Sequence, residues 1–249
     1  MLFPLKDDDR HLMSPAWVTI TLVVANALVF LYQLANPEFT TGFSAVPKEL
    51  TEGIDLVGPT MVGDGRDAFQ ISQAPGPTPI YLTLLTSMFM HGGWAHLGGN
   101  LLYLWIFGDN VEHRFGALRF LAFYLISGVA ASAAQIALAP DSVIPTLGAS
   151  GAISGVLGAY IVLFPKNQVM AVFLYRVVSI PAFLVLGLWA AMQVFGGFGS
   201  LANVGSEGGV AYAAHVGGFV AGLVAGVFAR VMMKTEPETV FRDIYRRRG

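Results

Sequence analysis

The sequence lacks cysteine and has few charged residues. The absence of cysteine excludes disulfides, thiolate catalysis and cysteine-ligated metal sites. Lys, Arg, Asp and Glu supply only 12% of the 249 residues, and 55% of the residues are hydrophobic. Soluble domains carry about 25% charged residues, so this chain cannot cover a water-facing surface. The composition therefore argues against a soluble enzyme, a nucleic-acid binder and a disordered protein, and it predicts a membrane protein.

Long intervals without charge predict six transmembrane helices. A helix needs about 20 apolar residues to cross the hydrocarbon core. The predicted spans lie at about 15–35, 94–111, 117–138, 148–164, 170–195 and 210–232. A long outer loop is expected between the first two spans. Since no internal repeat is found, we predict a single all-α polytopic membrane domain over residues 1–249.

The distribution of Lys and Arg predicts which way the chain is oriented. With six spans, both termini lie on one side of the membrane. Only Lys48 and Arg66 fall on the opposite side. The other basic residues are Lys6, Arg10, Arg114, Arg119, Lys166, Arg176, Arg230, Lys234, Arg242, Arg246, Arg247 and Arg248. By the positive-inside rule both termini are cytoplasmic. The short termini and the lack of cysteine suit the inner membrane of a prokaryote.

Strongly polar side chains within the predicted spans are candidates for function, because they are costly in a bilayer. His96 and Asn100 lie in span two, Ser150 in span four and His215 in span six. The even-numbered spans all run in the same direction. At about 1.5 Å per residue, Ser150 and His215 both lie roughly 10 Å below the outer surface. A hydroxyl and an imidazole are thus expected at one depth.

The spacing of small residues predicts that these helices approach one another. Ser150 stands in the segment Gly148-Ala149-Ser150-Gly151, where glycine allows a sharp turn before a helix N-terminus. The N–H groups of such a terminus favour a developing anion. Glycines on spans four and six would let the two helices pack closely and bring His215 to Ser150. His96 and Asn100 are four residues apart and share one helix face.

These residues together resemble the motifs of the rhomboid family of intramembrane serine proteases. The resemblance covers all six predicted spans in the same order. It implies that Ser150 is the nucleophile and His215 the general base. It further implies an oxyanion site formed by His96, Asn100 and the backbone N–H of Ser150. The function implied is a serine endopeptidase that cleaves single-span membrane proteins near the outer boundary of the membrane.

One position departs from the family pattern. Many members carry an aromatic residue four positions after the nucleophile, stacked on the catalytic histidine, and here that position is Ser154. The Ser150–His215 pair must then be supported in another way. Hydrolysis also requires a polar route for water. Candidates for that route are Thr86, Ser87, Ser127, Ser132, Gln135 and Gln193.

Taken singly, each of these residues also allows a simpler interpretation. A serine in a membrane helix usually bonds to its own helix, and His91 is expected to brace a loop. A zinc site at His91 and His96 is disfavoured by their spacing. We expect no metal, cofactor or nucleic acid, and the partners implied are the lipid bilayer and transmembrane protein substrates. Two other functions remain open: a noncatalytic client-binding protein and a small transporter using His96, Asn100 and His215.

Overall fold

The computed structural model describes residues 3–8, 14–62, 68–202 and 211–233. Within them the chain is mostly helical. The helices are α1 (Trp17–Ala35), α2 (Pro37–Phe43), α3 (Pro47–Glu52), α4 (Thr83–Thr86), α5 (Trp94–Phe115), α6 (Ala117–Leu138), α7 (Ser150–Leu163), α8 (Ala182–Ala202) and α9 (Tyr212–Met232). The strands are β1 (Phe3–Lys6), β2 (Gly58–Val62), β3 (Phe69–Gln73), β4 (Gln168–Phe173) and β5 (Arg176–Pro181).

Three of the described helices are long and apolar enough to cross a membrane: α1, α6 and α9. The apolar helix α7 is shorter, at 14 residues, and α5 has 22 residues but ends in a polar segment. Helix α6 has the bounds that the sequence predicts, and α5 extends four residues beyond its predicted end.

The predicted helical class holds in part, because the described chain is mostly helical, but the prediction of one helix over 170–195 is wrong. Residues 168–181 form the antiparallel hairpin β4–β5, and α8 begins only at Ala182. The segment is rich in Val and Ile, which favour strands. Leu174 and Tyr175 have positive φ at the hairpin turn, which a continuous helix does not allow. Strand β1 pairs with β4 to complete a three-stranded sheet in the order β1-β4-β5.

This sheet lies at the ends of α5 and α7 that are remote from Ser150. The buried side chain of Asp7, just after β1, accepts hydrogen bonds from Asn110 Nδ2 at 2.8 Å and from the hydroxyl of Tyr160. Tyr160 lies ten residues beyond Ser150 along α7, about 15 Å of helical rise. The N-terminal strand is therefore tied to the end of the helix bundle opposite the polar residues of the predicted site.

The predicted outer loop has structure of its own at the other end of the bundle. It contains α2, α3 and the antiparallel hairpin β2–β3. Ala45 forms a backbone bridge with Thr146, and Gln73 Nε2 donates to the carbonyl of Val143 at 2.9 Å. These contacts fasten the loop to the segment that precedes Ser150.

Helix α7 is the centre of the bundle. Its residues 151–160 are all buried. Glycines on α7 and α9 face one another, and a methyl group at Gly222 would overlap the carbonyl oxygen of Gly155. Similarly, a methyl group at Gly218 would overlap the carbonyl oxygen of Gly151. The missing side chains let the two backbones touch, which fixes how α9 is placed against the start of α7.

Side chains from α5 form hydrogen bonds with backbone groups at the ends of two other helices. Glu112 is buried and accepts the backbone N–H groups of Val18 and Thr19, at 3.0 and 2.7 Å. These N–H groups belong to the first turn of α1 and have no acceptor within the helix. Arg114 donates to the carbonyls of Ala229 and Met233 at the end of α9. Helix α5 thus holds both α1 and α9 at the end of the bundle where the β1-β4-β5 sheet lies.

Candidate active site

Ser150 and His215 are in direct contact. Ser150 Oγ lies 2.8 Å from His215 Nε2, although the two residues are 65 positions apart in the chain. Ser150 is the first residue of α7, and His215 lies in the first turn of α9. A serine hydroxyl hydrogen-bonded to an imidazole is the geometry of a nucleophile and its base.

The turn before α7 explains why the serine stands at the start of the helix. Gly148 has φ of +126°, a conformation that residues with side chains rarely adopt. Its N–H donates to the carbonyl of Ser87 at 2.9 Å, and the next residue, Ala149, is fully buried. The chain enters α7 so that the Ser150 N–H is one of the first amides of the helix, which have no acceptor within it.

His96 lies directly beside this turn. A methyl group at Gly148 would come within 2.7 Å of His96 Cε1, and it would be 3.6 Å from Ser150 Oγ. The backbone N–H of Gly92 points to His96 Nδ1 at 3.3 Å. Since Nδ1 accepts that bond, the ring proton is placed on Nε2. His96 thus offers a donor next to Ser150.

Asn100 lies one helical turn beyond His96 on the same face of α5. Its side chain is only 7% exposed, and its Nδ2 has no hydrogen-bond partner. A buried amide donor without an acceptor is costly. The Nδ2 of Asn100 is therefore available to an acceptor that enters the site.

The second ring nitrogen of His215 also has a partner. His215 Nδ1 lies 2.7 Å from Oε1 of Gln193, on α8. The ring of Trp189 lies one turn earlier on α8, with its centroid 6.1 Å from that of His215 and the planes inclined at 37°. The sequence prediction named Gln193 only as a candidate for the water route and gave Trp189 no role. Their spacing of four residues in an otherwise apolar helix was the available signal.

Ser154 does not contact the histidine. Its side chain is buried, and its Oγ donates to the carbonyl of Ser150 at 2.6 Å, within the same helix. The position that the resemblance gives to an aromatic residue is therefore occupied by a small group, and the aromatic neighbour of His215 comes from α8 instead.

A small cavity adjoins Ser150. Its volume is about 30 Å³, enough for a water molecule. Ser87, Ser132 and Gln135 line it together with the turn at Gly148. Two other candidates for the water route lie elsewhere: Thr86 donates to the carbonyl of Phe43, and Ser127 packs against Gly155.

His91 is buried behind His96, with ring centroids 5.2 Å apart. Phe30 contacts the same ring edge-on. Among the residues that the structure describes, no group of three or more His, Asp or Glu side chains is arranged to hold a metal ion.

Comparison with known proteins yields a consistent group of relatives. A family model described as the Rhomboid domain matches residues 79–231. Rhomboid protein 1, mitochondrial, of Saccharomyces cerevisiae is 34% identical over 141 residues, which is 55% of this chain and 38% of the relative. Rhomboid protease GluP of Bacillus subtilis is 36% identical over 139 residues, 55% of this chain and 24% of the relative.

A longer match is found with Rhomboid protease AarA of Providencia stuartii. It is 27% identical over 231 residues, covering 88% of this chain and 74% of the relative. By contrast, the chain spans less than half the length of the yeast and Bacillus relatives. The region that the Rhomboid family model matches, residues 79–231, contains Ser87, His96, Asn100, Ser150, Gln193 and His215.

Proposed function

The chain belongs to the rhomboid family, whose model matches residues 79–231, and on this premise we propose that it is an intramembrane serine endopeptidase. The observation that carries the proposal is the 2.8 Å contact between Ser150 Oγ and His215 Nε2. Relatives named as rhomboid proteases add support from outside the structure.

In the proposed mechanism, Ser150 Oγ attacks the carbonyl carbon of a peptide bond while His215 Nε2 takes the hydroxyl proton. The tetrahedral intermediate collapses, the C–N bond breaks, and Nε2 returns the proton to the leaving amine. Water then attacks the acyl-enzyme as Nε2 takes one of its protons. Ser150 leaves as the C–O bond breaks and recovers its proton from Nε2.

Three donors are available for the negative oxygen of the intermediate. They are the Ser150 N–H at the start of α7, the Nε2–H of His96 and the free Nδ2 of Asn100. Loss of one such donor typically lowers the rate about 100- to 1,000-fold. The cavity of about 30 Å³ beside Ser150 can hold the hydrolytic water.

We further propose that α1, α5, α6, α7, α8 and α9 are six membrane spans. The structure supports this with three helices of sufficient length and apolarity, and with the shorter apolar helices α7 and α8. Ser150, His96 and His215 all lie near the N-terminal ends of their helices, so they would share one depth near one membrane face. Substrates would be single-span membrane proteins cleaved near that boundary.

The distribution of basic residues supports the orientation. Arg114, Arg119 and Lys166 lie at or beside the helix ends remote from Ser150, which would be cytoplasmic by the positive-inside rule. Several residues used in the sequence prediction fall outside the described residues: Arg10, Arg66, Lys234, Arg242, Arg246, Arg247 and Arg248. We propose cytoplasmic termini and a prokaryotic inner membrane on these grounds.

The proposal is tested by cleavage of a fluorescent single-span reporter by purified protein in liposomes. Ser150→Ala and His215→Ala should each abolish cleavage. Ser154→Ala provides a matched control one turn along the same helix, and His113→Ala provides a histidine control at the other end of α5. Both controls should retain activity. Cleavage by Ser150→Ala at the rate of the unmodified protein would contradict the nucleophile assignment.

A further inference from the structure

We propose that Gln193 is the positioning residue of His215, and that it replaces the aromatic support that Ser154 cannot supply. The inference rests on the proposed function, since it concerns the base of the same dyad. It is carried by two contacts to one ring: Gln193 Oε1 at 2.7 Å from Nδ1 and Ser150 Oγ at 2.8 Å from Nε2.

The two contacts together determine the tautomer that catalysis requires. The amide oxygen of Gln193 can only accept a hydrogen bond, so Nδ1 must carry the ring proton. Nε2 then has a free lone pair, which faces the hydroxyl of Ser150. The opposite tautomer would place a proton on Nε2 and leave it unable to accept the serine proton. Gln193 thus holds the histidine in the form of a base.

In the part of the chain that the structure describes, the hydrogen bond to His215 Nδ1 comes from Gln193 alone. Ser154 is bonded to the carbonyl of Ser150. The helices that pack against the start of α9 carry no Asp or Glu near His215. Trp189 contacts the ring at a tilt and limits its rotation, but its indole N–H is a donor only. An acceptor for Nδ1 is therefore supplied by Gln193.

The side chains that support His215 come from a helix that carries neither residue of the dyad. Gln193 and Trp189 are both on α8, whereas the dyad residues are on α7 and α9. The α7–α9 contact is a close backbone contact between glycines. The α8 contact to the histidine is made by side chains. Displacement of α8 would therefore remove the hydrogen bond to Nδ1 while leaving Ser150 and His215 on helices that remain packed together.

The test uses the full-length protein and three substitutions. Gln193→Met keeps the length of the side chain and removes the strong acceptor. Gln193→Glu keeps an acceptor at the same place. Gln70→Met makes the same chemical change at an exposed position of strand β3, outside the candidate site, and serves as the matched control. Gln193→Leu is a second acceptor-free variant to use if Gln193→Met does not fold.

The kinetic readout is the steady-state cleavage of the reporter. We expect Gln193→Met to lower kcat about 10- to 100-fold, a part of the range that general-base catalysis contributes. KM should change less than twofold, because the substrate does not contact Gln193 in this scheme. Gln193→Glu should recover most of kcat, and Gln70→Met should match the unmodified protein.

The structural readout is the position of the ring proton. With five histidines in the chain, ¹⁵N-histidine NMR can resolve the ring nitrogens, and His215→Ala assigns the signals of His215. The unmodified protein and Gln193→Glu should show the proton on Nδ1, whereas Gln193→Met should show a mixture of both tautomers. A purely structural role for Gln193 would leave this signature unchanged.

The outcomes separate the two proposals. If Ser150→Ala and His215→Ala are inactive but Gln193→Met keeps its kcat and its Nδ1 proton, the positioning role is overturned and the dyad stands. A proton on Nε2 in the unmodified protein would also overturn it. If Ser150→Ala cleaves the reporter normally, the proposed function fails, and the role of Gln193 fails with it.

Discussion

At the scale of single residues, the buried amide of Asn100 lowers the stability of the fold, and we propose that it raises the rate of catalysis. Its buried Nδ2 has no partner in the resting structure. Replacing such a group by an apolar side chain of similar size is often neutral or stabilising. We expect Asn100→Leu to keep or raise the midpoint of thermal unfolding in detergent, while kcat falls about 100-fold through loss of an oxyanion donor.

The control for this prediction is Asn36→Leu, at the exposed end of α1. Asn36 Nδ2 donates to the carbonyl of Tyr32, so this substitution removes a satisfied amide that is not part of the candidate site. It should leave kcat unchanged. An Asn100→Leu protein that loses stability but keeps its kcat would show that the amide serves packing and not catalysis.

The buried carboxyl group of Glu49, on α3, predicts that stability depends on pH. Its carboxylate is buried, and this burial raises its pKa above the ordinary value, although the N–H of Leu56 opposes the shift. A carboxyl group with a raised folded-state pKa stabilises the fold fully at low pH. That contribution is lost as the pH rises from about 4.5 through the raised value.

Glu49→Gln should therefore unfold at a higher temperature than the unmodified protein at pH 8 and at nearly the same temperature at pH 4. The measurement is thermal unfolding in detergent across this range. Glu52→Gln, an exposed change on the same helix, is the control for the loss of a surface charge. An equal shift for Glu49→Gln at both pH values would contradict the burial argument.

The residues of the site differ in how well the sequence could predict them. Ser150 and His215 stand in recognisable motifs at matched positions of two helices, and their contact is consistent with that reading. The sequence identified Gln193 as a polar candidate but could not predict its contact with His215, because that contact depends on the rotation of α8 about its axis. That rotation is set by packing among three helices and has no local sequence signal.

At the scale of elements, the contact between α7 and α9 determines whether the dyad can form. A methyl group at Gly222 would overlap the backbone of Gly155, which cannot move aside as a flexible side chain would. Gly222→Ala should therefore force the helices apart. We expect a loss of about 1–3 kcal/mol in unfolding free energy, with kcat reduced because His215 moves from Ser150.

Gly187 on α8 provides the matched substitution. A methyl group there meets no atom within 4 Å, so Gly187→Ala should keep stability and activity, helped by the higher helix propensity of Ala. Thermal unfolding and reporter cleavage measure both variants. If the two substitutions behave alike, close packing of α7 on α9 is not what positions the dyad.

The elements also show where sequence reasoning fails. The hairpin β4–β5 lies in an interval that hydropathy alone assigns to a membrane span. Apolar residues are compatible with both a strand and a helix, so hydropathy cannot distinguish the two. Val and Ile there favour a strand, but their pairing with β1 joins residues more than 160 positions apart. Hydropathy windows contain no information about such a distant partner.

At the scale of the whole molecule, the surface of the bundle is apolar. Leu28 on α1, Phe195 on α8 and Val231 on α9 are 61%, 74% and 74% exposed. An apolar surface of this extent suits contact with lipid. The hairpin β2–β3 and the β1-β4-β5 sheet lie at opposite ends of this surface, so each would face a different side of the membrane.

The absence of cysteine allows the orientation to be tested with single substitutions. Ser72 on β3 and Ser179 on β5 are exposed, at opposite ends of the bundle. If the termini are cytoplasmic, a membrane-impermeant maleimide added to intact bacterial cells, with the outer membrane permeabilised, should label Ser72→Cys but not Ser179→Cys. After the inner membrane is opened with detergent, both should be labelled. The unsubstituted protein, which has no thiol, gives the background. Labelling of Ser179→Cys alone in intact cells would invert the orientation and would place Ser150 near the cytoplasmic face.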